Sequence, residues 1–340
     1  MKGVFLIPLS WLYGLGVSIR HLLYDQHLLP SFTVDVPTVC VGNLAVGGTG
    51  KTPMVEYLLR LLLANGLHPA VLSRGYKRRT RGFLLADSYS TVDTIGDEAM
   101  QLHRKFPEVP VAVCEGRVRG IRQLKRQLTQ LDVVVLDDAM QHRSLRCGLT
   151  ILLTPYDHLY IDDHLLPWGT LRDLPSRALK ADAIVVTKCP DSIRPIDMRV
   201  VDNRLHLPTF QQLHFAGLEY AVMEQEGAPL VLCGIAQPQY MMAYVQQRYP
   251  KAELMAYPDH HQYTPKDIDD IMERAKDFDF VLTTEKDIQR LRTTSLVERL
   301  QQQGKRLIAL PVQMRFCTPQ KNFDRQILTY VRENCRPKNQ

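Results

Sequence analysis

Residues 45–52 read Ala-Val-Gly-Gly-Thr-Gly-Lys-Thr, a glycine-dense run that closes on an ammonium and a hydroxyl. Glycines can adopt the positive φ values that turn consecutive backbone N–H groups toward one anion, so Gly47, Gly48, Thr49 and Gly50 are candidates to cradle phosphate oxygens. The general phosphate-binding pattern is G-x-x-x-x-G-K-[ST]; here Ala45 occupies its first position, while Gly50, Lys51 and Thr52 stand in place. The Lys51 ammonium then suits the β and γ phosphates of a nucleoside triphosphate such as ATP, and the Thr52 hydroxyl suits Mg²⁺. Pro53, near the first helical position, costs no hydrogen bond, and the N-terminus of the helix that follows attracts negative charge.

A second constellation, Leu131-Asp-Val-Val-Val-Leu-Asp137-Asp138, ends four apolar residues on two adjacent carboxylates. A phosphate loop needs a carboxylate to hold the metal's water shell, at the C-terminal end of a neighbouring buried strand. Two carboxylates side by side repel unless a cation sits between or beside them. Asp137 and Asp138 are therefore the candidate Mg²⁺ ligands together with Thr52, with no division of work between the two aspartates.

Elements to position these groups are visible in the pattern. Thr38-Val-Cys-Val41, Pro69–Ser73, Val109–Cys114, Asp132–Leu136, Leu149–Leu153 and Asp182–Thr187 are near-continuous apolar runs, separated by helical patterns near 52–64, 97–105 and 117–130. Strands buried on both faces look like this, and their alternation with helices predicts an α/β fold with a mainly parallel sheet covered on both sides. A second, smaller α/β set follows residue 212: Pro229–Cys233, a helix over 237–248, Glu253–Tyr257, a helix from Thr264, Phe278–Thr284, a further helix and Arg306–Leu310. The expected organisation is an N-terminal segment 1–24, a nucleotide-binding domain 25–212 and a smaller domain 213–340 closing a cleft.

The first segment carries no charge between Lys2 and Arg20 and is interrupted by Pro8, Gly14 and Gly16. It is short for a span, lacks a signal-peptide cleavage site, and bears Trp11 and Tyr13, which favour the headgroup layer. An interfacial helix is expected, with burial against the domain as the competing outcome. Forty-two Lys and Arg against 36 Asp and Glu give a net charge of +6, which suits phosphate-bearing partners or an anionic membrane. The densest basic run, Lys77-Arg-Arg-Thr-Arg81, lacks the interleaved aromatics of a nucleic-acid surface, so no nucleic-acid partner is expected. The odd count of seven cysteines without a C-x-x-C fits a reduced, cytosolic chain.

The substrate comes from resemblance. Gly42-Asn43-Leu44 with Val46–Pro53, then Ser73-Arg-Gly-Tyr76, Gly96-Asp97-Glu98, Asp137-Asp138-Ala-Met-Gln141-His142-Arg143, Leu165-Leu-Pro167 and Leu171-Arg172 resemble the tetraacyldisaccharide 4'-kinase family. Val186-Thr-Lys188, Gly234–Pro238, Asp259-His260 and Thr284-Glu-Lys-Asp287 follow in family order. The resemblance implies a P-loop kinase that transfers the ATP γ-phosphate to the 4'-hydroxyl of an acylated glucosamine disaccharide 1-phosphate. It places the reaction at the cytoplasmic face of the inner membrane and implies no obligate protein partner. It also implies that Asp97 is the catalytic carboxylate and His260 its partner from the second domain, acting with Lys51. On their own, Gly96-Asp97-Glu98 would read as a helix cap and His260 as a polar loop residue. Two departures stand out: Ala139-Met140 replaces the more usual Gly-Phe, and Asp173 replaces a longer glutamate, which weakens any role for it near the metal. The competing class is a membrane-associated NTPase switch acting on a protein; it loses ground because no guanine-specifying N-K-x-D occurs.

Overall fold

The computed structural model describes residues 4–335. Residues 1–3 of the expected N-terminal helix and 336–340 of the expected C-terminal domain lie outside the described residues. Helix α1 (Ile7–Asp25) comes first. Strands β1 (Thr38–Asn43), β2 (Pro69–Ser73), β3 (Leu84–Leu85), β4 (Val111–Val113), β5 (Val133–Asp137), β6 (Leu149–Pro155), β7 (Ala183–Thr187) and β8 (Gln212–Tyr220) follow. They are interleaved with α2 (Lys51–Ala64), α3 (Val92–Ile95), α4 (Asp97–Lys105), α5 (Arg117–Gln127) and α6 (Pro195–Leu205).

Alternate side chains of the central strand β1 feed opposite cores, as the two-residue period of a strand requires. Val39 and Val41 pack with Met54, Leu58 and Leu62 of α2. Cys40 packs with Leu72, Leu136 and the α5 residues Ile121 and Leu124. Because β1 runs parallel to β5 with Val41 opposite Asp137, the loop after β1 and the carboxylates after β5 emerge together at the C-terminal edge of the sheet.

The second sheet is built from β9 (Pro229–Cys233), α7 (Gln239–Arg248), β10 (Glu253–Ala256), α8 (Pro265–Arg274), β11 (Phe280–Thr284), α9 (Ile288–Leu291), α10 (Leu296–Gln302) and β12 (Leu307–Leu310). Its four strands are all parallel, in the order β10-β9-β11-β12. The chain then returns. β13 (Val312–Phe316) pairs antiparallel with β8, and α11 (Gln320–Asn334) packs on the first sheet. The first sheet therefore has nine strands, β13-β8-β7-β6-β1-β5-β2-β4-β3, antiparallel only at its two ends.

Sheet membership thus differs from the expected division at 212/213. The smaller unit lies between Tyr220 and Val312, as an insertion between two paired strands of the larger one. Only Pro311 separates β12 from β13. A proline has no N–H to continue a ladder, so the chain changes sheets there. The outgoing and returning strands meet at Ala221 N–H, which donates to the Pro311 carbonyl at 3.0 Å. Phe323, Ile327 and Val331 of α11 are fully buried. At about 1.5–3 kcal/mol each, their burial rivals the net stability of a whole domain, so the return is integral to the first sheet.

Helix α1 has two unlike faces. Ser10, Gly14 and His21 are buried against the body, while Leu9, Trp11, Leu12, Leu15, Ile19 and Leu22 are exposed. No helix among the described residues is long and apolar enough to cross a membrane.

Candidate active site

The loop from Leu44 to Gly50 leaves β1 and enters α2 at Lys51. Gly47 and Gly50 have φ values of +106° and +89°, the region that a side chain would strain. Buried Thr49 fixes the loop from within: its hydroxyl accepts from Asn43 Nδ2 at 2.9 Å, and its carbonyl accepts from Thr187 Oγ1 at 2.8 Å. The second sheet's unit roofs the loop, because a Cβ added to Gly47 or Gly48 would lie 3.9 Å from Ala236 Cβ. Lys188 approaches the same point, 3.9 Å from that Gly48 position, and donates to Gln237. Burial lowers the Lys188 ammonium to about 8 despite the attraction of Asp157.

At the end of β5 the two aspartates are in opposite electrostatic states. Asp138, with φ of +52°, is gripped by the Arg172 fork, one arm at 2.9 Å, and has Lys51 Nζ 3.9 Å away. Burial would raise its carboxyl, but these two cations outweigh it and hold the group at about 2. Asp137 is pushed up to about 6 by burial and by the charge on Asp138. Ser73 Oγ donates to Asp137 Oδ2 at 3.3 Å, whereas the buried Oδ1 has no hydrogen-bond partner among the described residues. Fully buried Arg117 donates to the Asp137 carbonyl at 3.1 Å and to the Cys114 carbonyl at 2.6 Å. An orphaned carboxylate oxygen beside an ionised neighbour is an arrangement that a divalent cation relieves, and the donors are all the hard oxygens that Mg²⁺ prefers. The residues present therefore fit the metal.

Asp97 opens α4, after Gly96, whose φ of +88° strains any side chain and where an added Cβ would lie 3.0 Å from the Tyr76 carbonyl oxygen. The Gly96-Asp97 and Arg74-Gly75-Tyr76 motifs are thus neighbours because their backbones pack together. The Asp97 carboxylate is buried and takes a two-pronged contact from Arg290, Nε and Nη2 each at 2.7 Å. His260 Nδ1 meets Asp97 Oδ2 at 2.9 Å. Burial alone would raise the Asp97 carboxyl; the His260 hydrogen bond and the Arg290 charge more than offset it and hold the group below the ordinary range.

On the other side of the ring, His260 Nε2 lies 3.2 Å from Lys286 Nζ, and an ammonium can only donate. The network therefore assigns the ring hydrogen to Nδ1, donated to Asp97, and leaves Nε2 as the acceptor. The Tyr76 ring meets His260 edge-on at 4.9 Å. Asp97, Glu98 and His260 present ligand atoms within 4.8 Å of one another, a spacing that could hold a metal. Arg290 and Lys286 already supply the compensating charge there, with Lys286 at 3.3 Å from Glu98 and 2.7 Å from Asp259. A proton-handling network describes this cluster better than a second metal centre.

The structure brings Lys51, Asp137 and Asp138 together at one sheet edge, and Asp97 and His260 together across the cleft. Arg290 and the fork made by Arg172 were not identified by sequence reasoning. Arg172 was legible only as part of a motif, and Arg290 carried no signal beyond lying one turn past Lys286. Asp173 turns away from the carboxylate pair: it is buried and bonded to His21 Nε2 at 2.5 Å. His142 is lowered to about 4 by burial and by Arg117 and Arg74, so it is neutral at pH 7. Within the basic run, Arg78 is not a solvated charge but is buried against Glu115 at 2.5 Å and the Gly82 carbonyl at 2.6 Å.

Comparison with known proteins agrees with this geometry. Residues 3–332 match the family described as Tetraacyldisaccharide-1-P 4'-kinase. The tetraacyldisaccharide 4'-kinase of Flavobacterium johnsoniae is 42% identical, covering 98% of both chains. That of Bacteroides thetaiotaomicron is 40% identical, over 98% of this chain and 94% of its own. Among solved structures, LpxK from Aquifex aeolicus in complex with ATP superposes with a TM-score of 0.74 at 26% identity, covering 97% of this chain and all of that one.

Proposed function

The chain belongs to the tetraacyldisaccharide 4'-kinase family, and from that premise we propose how its residues divide the work. The protein is an ATP-dependent kinase that phosphorylates a lipid A precursor at the 4' position. The backbone of Gly47–Gly50 cradles the ATP phosphates, and Lys51 offsets charge on the group in transfer. Thr52, Asp137 and Asp138 would hold Mg²⁺, which when bound neutralises the phosphate oxygens.

Asp97 takes the proton of the attacking 4'-hydroxyl, and His260 positions and polarises the pair. The observation that carries this assignment is that every side chain bonded to the Asp97 carboxylate, His260 and Arg290, comes from the inserted unit. Closure brings His260 and Arg290 onto Asp97 and keeps the carboxylate ionised, so the base is assembled in the same state that shields the acceptor from water.

The acceptor is a tetraacyldisaccharide 1-phosphate, taken from the cytoplasmic face of the inner membrane. The exposed apolar face of α1 supports this reading: its polar face is used up in docking, which leaves Trp11, Leu12, Leu15 and Ile19 for lipid. The experiment is transfer of labelled γ-phosphate from ATP to that disaccharide dispersed in detergent. A labelled lipid product is expected, and acceptor-independent hydrolysis would favour the switch class instead.

A further inference from the structure

Residues 172 and 173 are adjacent in sequence, yet their side chains serve different partners. The Arg172 fork holds Asp138, and one of its nitrogens also reaches Asn43, the last residue of β1 before the phosphate loop. The Asp173 carboxylate meets His21 Nε2 of α1 at 2.5 Å, with both side chains almost fully buried. The carbonyl of Arg172 accepts from the Tyr13 hydroxyl, also on α1, at 2.9 Å. The backbone between them is sewn to the phosphate loop: Val46 N–H donates to the Thr170 carbonyl at 2.8 Å, and Arg172 N–H to the Leu44 carbonyl at 2.8 Å.

A second connection runs in parallel. Arg143 donates to the His21 carbonyl at 2.9 Å and lies 3.2 Å from His21 Nδ1, which fixes Nε2 as the atom that donates to Asp173. Arg20 reaches the Gln141 carbonyl at 2.9 Å, and the Gln141 amide donates to the Asn43 carbonyl at 2.7 Å.

We infer that His21 is a positioning residue for the nucleotide site: by anchoring Asp173 it sets the register of Arg172, and through that fork the placement of Asp138. The physical reason lies in the geometry of the two links. Without His21 the buried Asp173 carboxylate would keep only the Leu174 N–H as a donor among the described residues, at 2.9 Å. A buried charge so underpaired turns toward water or takes up a proton, either of which shifts the backbone it is attached to. A two-pronged guanidinium contact tolerates little displacement. The docking of α1, whose other face is free for lipid, is thus joined to the phosphate-binding edge through a two-residue lever. This inference rests on the nucleotide-site reading above.

The test is binding of ATP with Mg²⁺ by calorimetry, on the full chain in detergent without lipid acceptor. His21→Ala should weaken binding about 10-fold, the effect of losing roughly 1.4 kcal/mol. His21→Gln, whose side-chain N–H can replace Nε2 as donor, should recover most of it. In an Arg172→Ala background, His21→Ala should cause no further loss, because the two act in series. Unchanged affinity in His21→Ala, or an equal loss in both backgrounds, would overturn the inference. If His21→Ala does not fold, Asp173→Asn replaces it, and a loss of about 3-fold is expected because the contact with His21 loses its charge; no change there would overturn the inference equally. Failure of the wild-type chain to bind ATP with Mg²⁺ would instead sink the nucleotide-site assignment itself.

Discussion

The carboxylates after β5 and the carboxylate that opens α4 solve opposite problems. Asp137 and Asp138 are placed by one sheet, and one of them is left with an unpaired buried oxygen. Asp97 is placed by a helix of the larger unit but paired by side chains from the inserted one. An unsatisfied charge held rigidly by one sheet is poised for a cation; a satisfied charge whose partners belong to another unit depends on how the two units meet. The difference separates binding from coupling.

The most damaging change to this contrast should be in the bridging cluster. Asp97→Ala and His260→Ala should each lower kcat, with Asp97→Ala costing about 10²–10⁴, while ATP affinity stays near wild type. The double variant should be no worse than the poorer single. Fully multiplicative losses in steady-state assays would show that the two residues do not act as one unit. Lys51→Ala, in the rigid region, should cost about 10²–10³ in kcat at saturating ATP. Combined with His260→Ala its effect should multiply, since the two belong to separate regions.

Stability separates Asp137 from Asp97 by sign. Asp137 has a folded pKa raised to about 6, so its burden on the fold grows as pH rises from about 4 to 6 and is constant above. Without Mg²⁺, Asp137→Asn should therefore raise the melting temperature at pH 7, with the advantage vanishing near pH 4. Asp97 has a depressed pKa, so it contributes stability above the ordinary carboxylate range that is lost as pH falls through its folded value. Asp97→Asn should accordingly lower the melting temperature at pH 7. Matching signs in thermal unfolding would erase the distinction. The smallest effect belongs to Lys105, which bridges Glu56 at 2.7 Å and Glu285 of the inserted unit at 2.6 Å. Glu285→Gln should change kcat by only about 2- to 3-fold, because Lys105 keeps Glu56 as its partner and the lost pairing is remote from the phosphates.

The rigid region was largely legible in the sequence because its logic is local: glycines before a lysine, four apolar residues before two aspartates. The bridging cluster was not. Gly96-Asp97-Glu98 and Asp259-His260 have no periodicity linking them across 163 positions, and only resemblance joined them. Arg290 escaped notice for the same reason. The returning strand β13 did carry a signal, since Val312-Gln-Met-Arg-Phe316 alternates as a strand with one buried face should. Its placement after a single proline nevertheless made it look like a continuation of the second unit. The shorter side chain of Asp173 was readable as a weakened tie to the metal, but its partner His21, 152 residues away, was not.

The return of β13 and α11 also has a meaning for synthesis. Tyr57 on the helix that follows the phosphate loop packs against Phe316 and Phe323, 5.0 and 5.9 Å between ring centres, and its hydroxyl bonds Asp324. As the chain emerges from the ribosome, the inserted unit is complete before the residues that finish the sheet around it. Helix α2, which carries Lys51 and Thr52 at its start, therefore gains its packing against Phe316 and Phe323 only when the last strand and helix arrive. A truncated product lacking residues 312–340 should present β8 as an open sheet edge and leave α2 uncovered, the features by which quality control distinguishes unfinished proteins from finished ones.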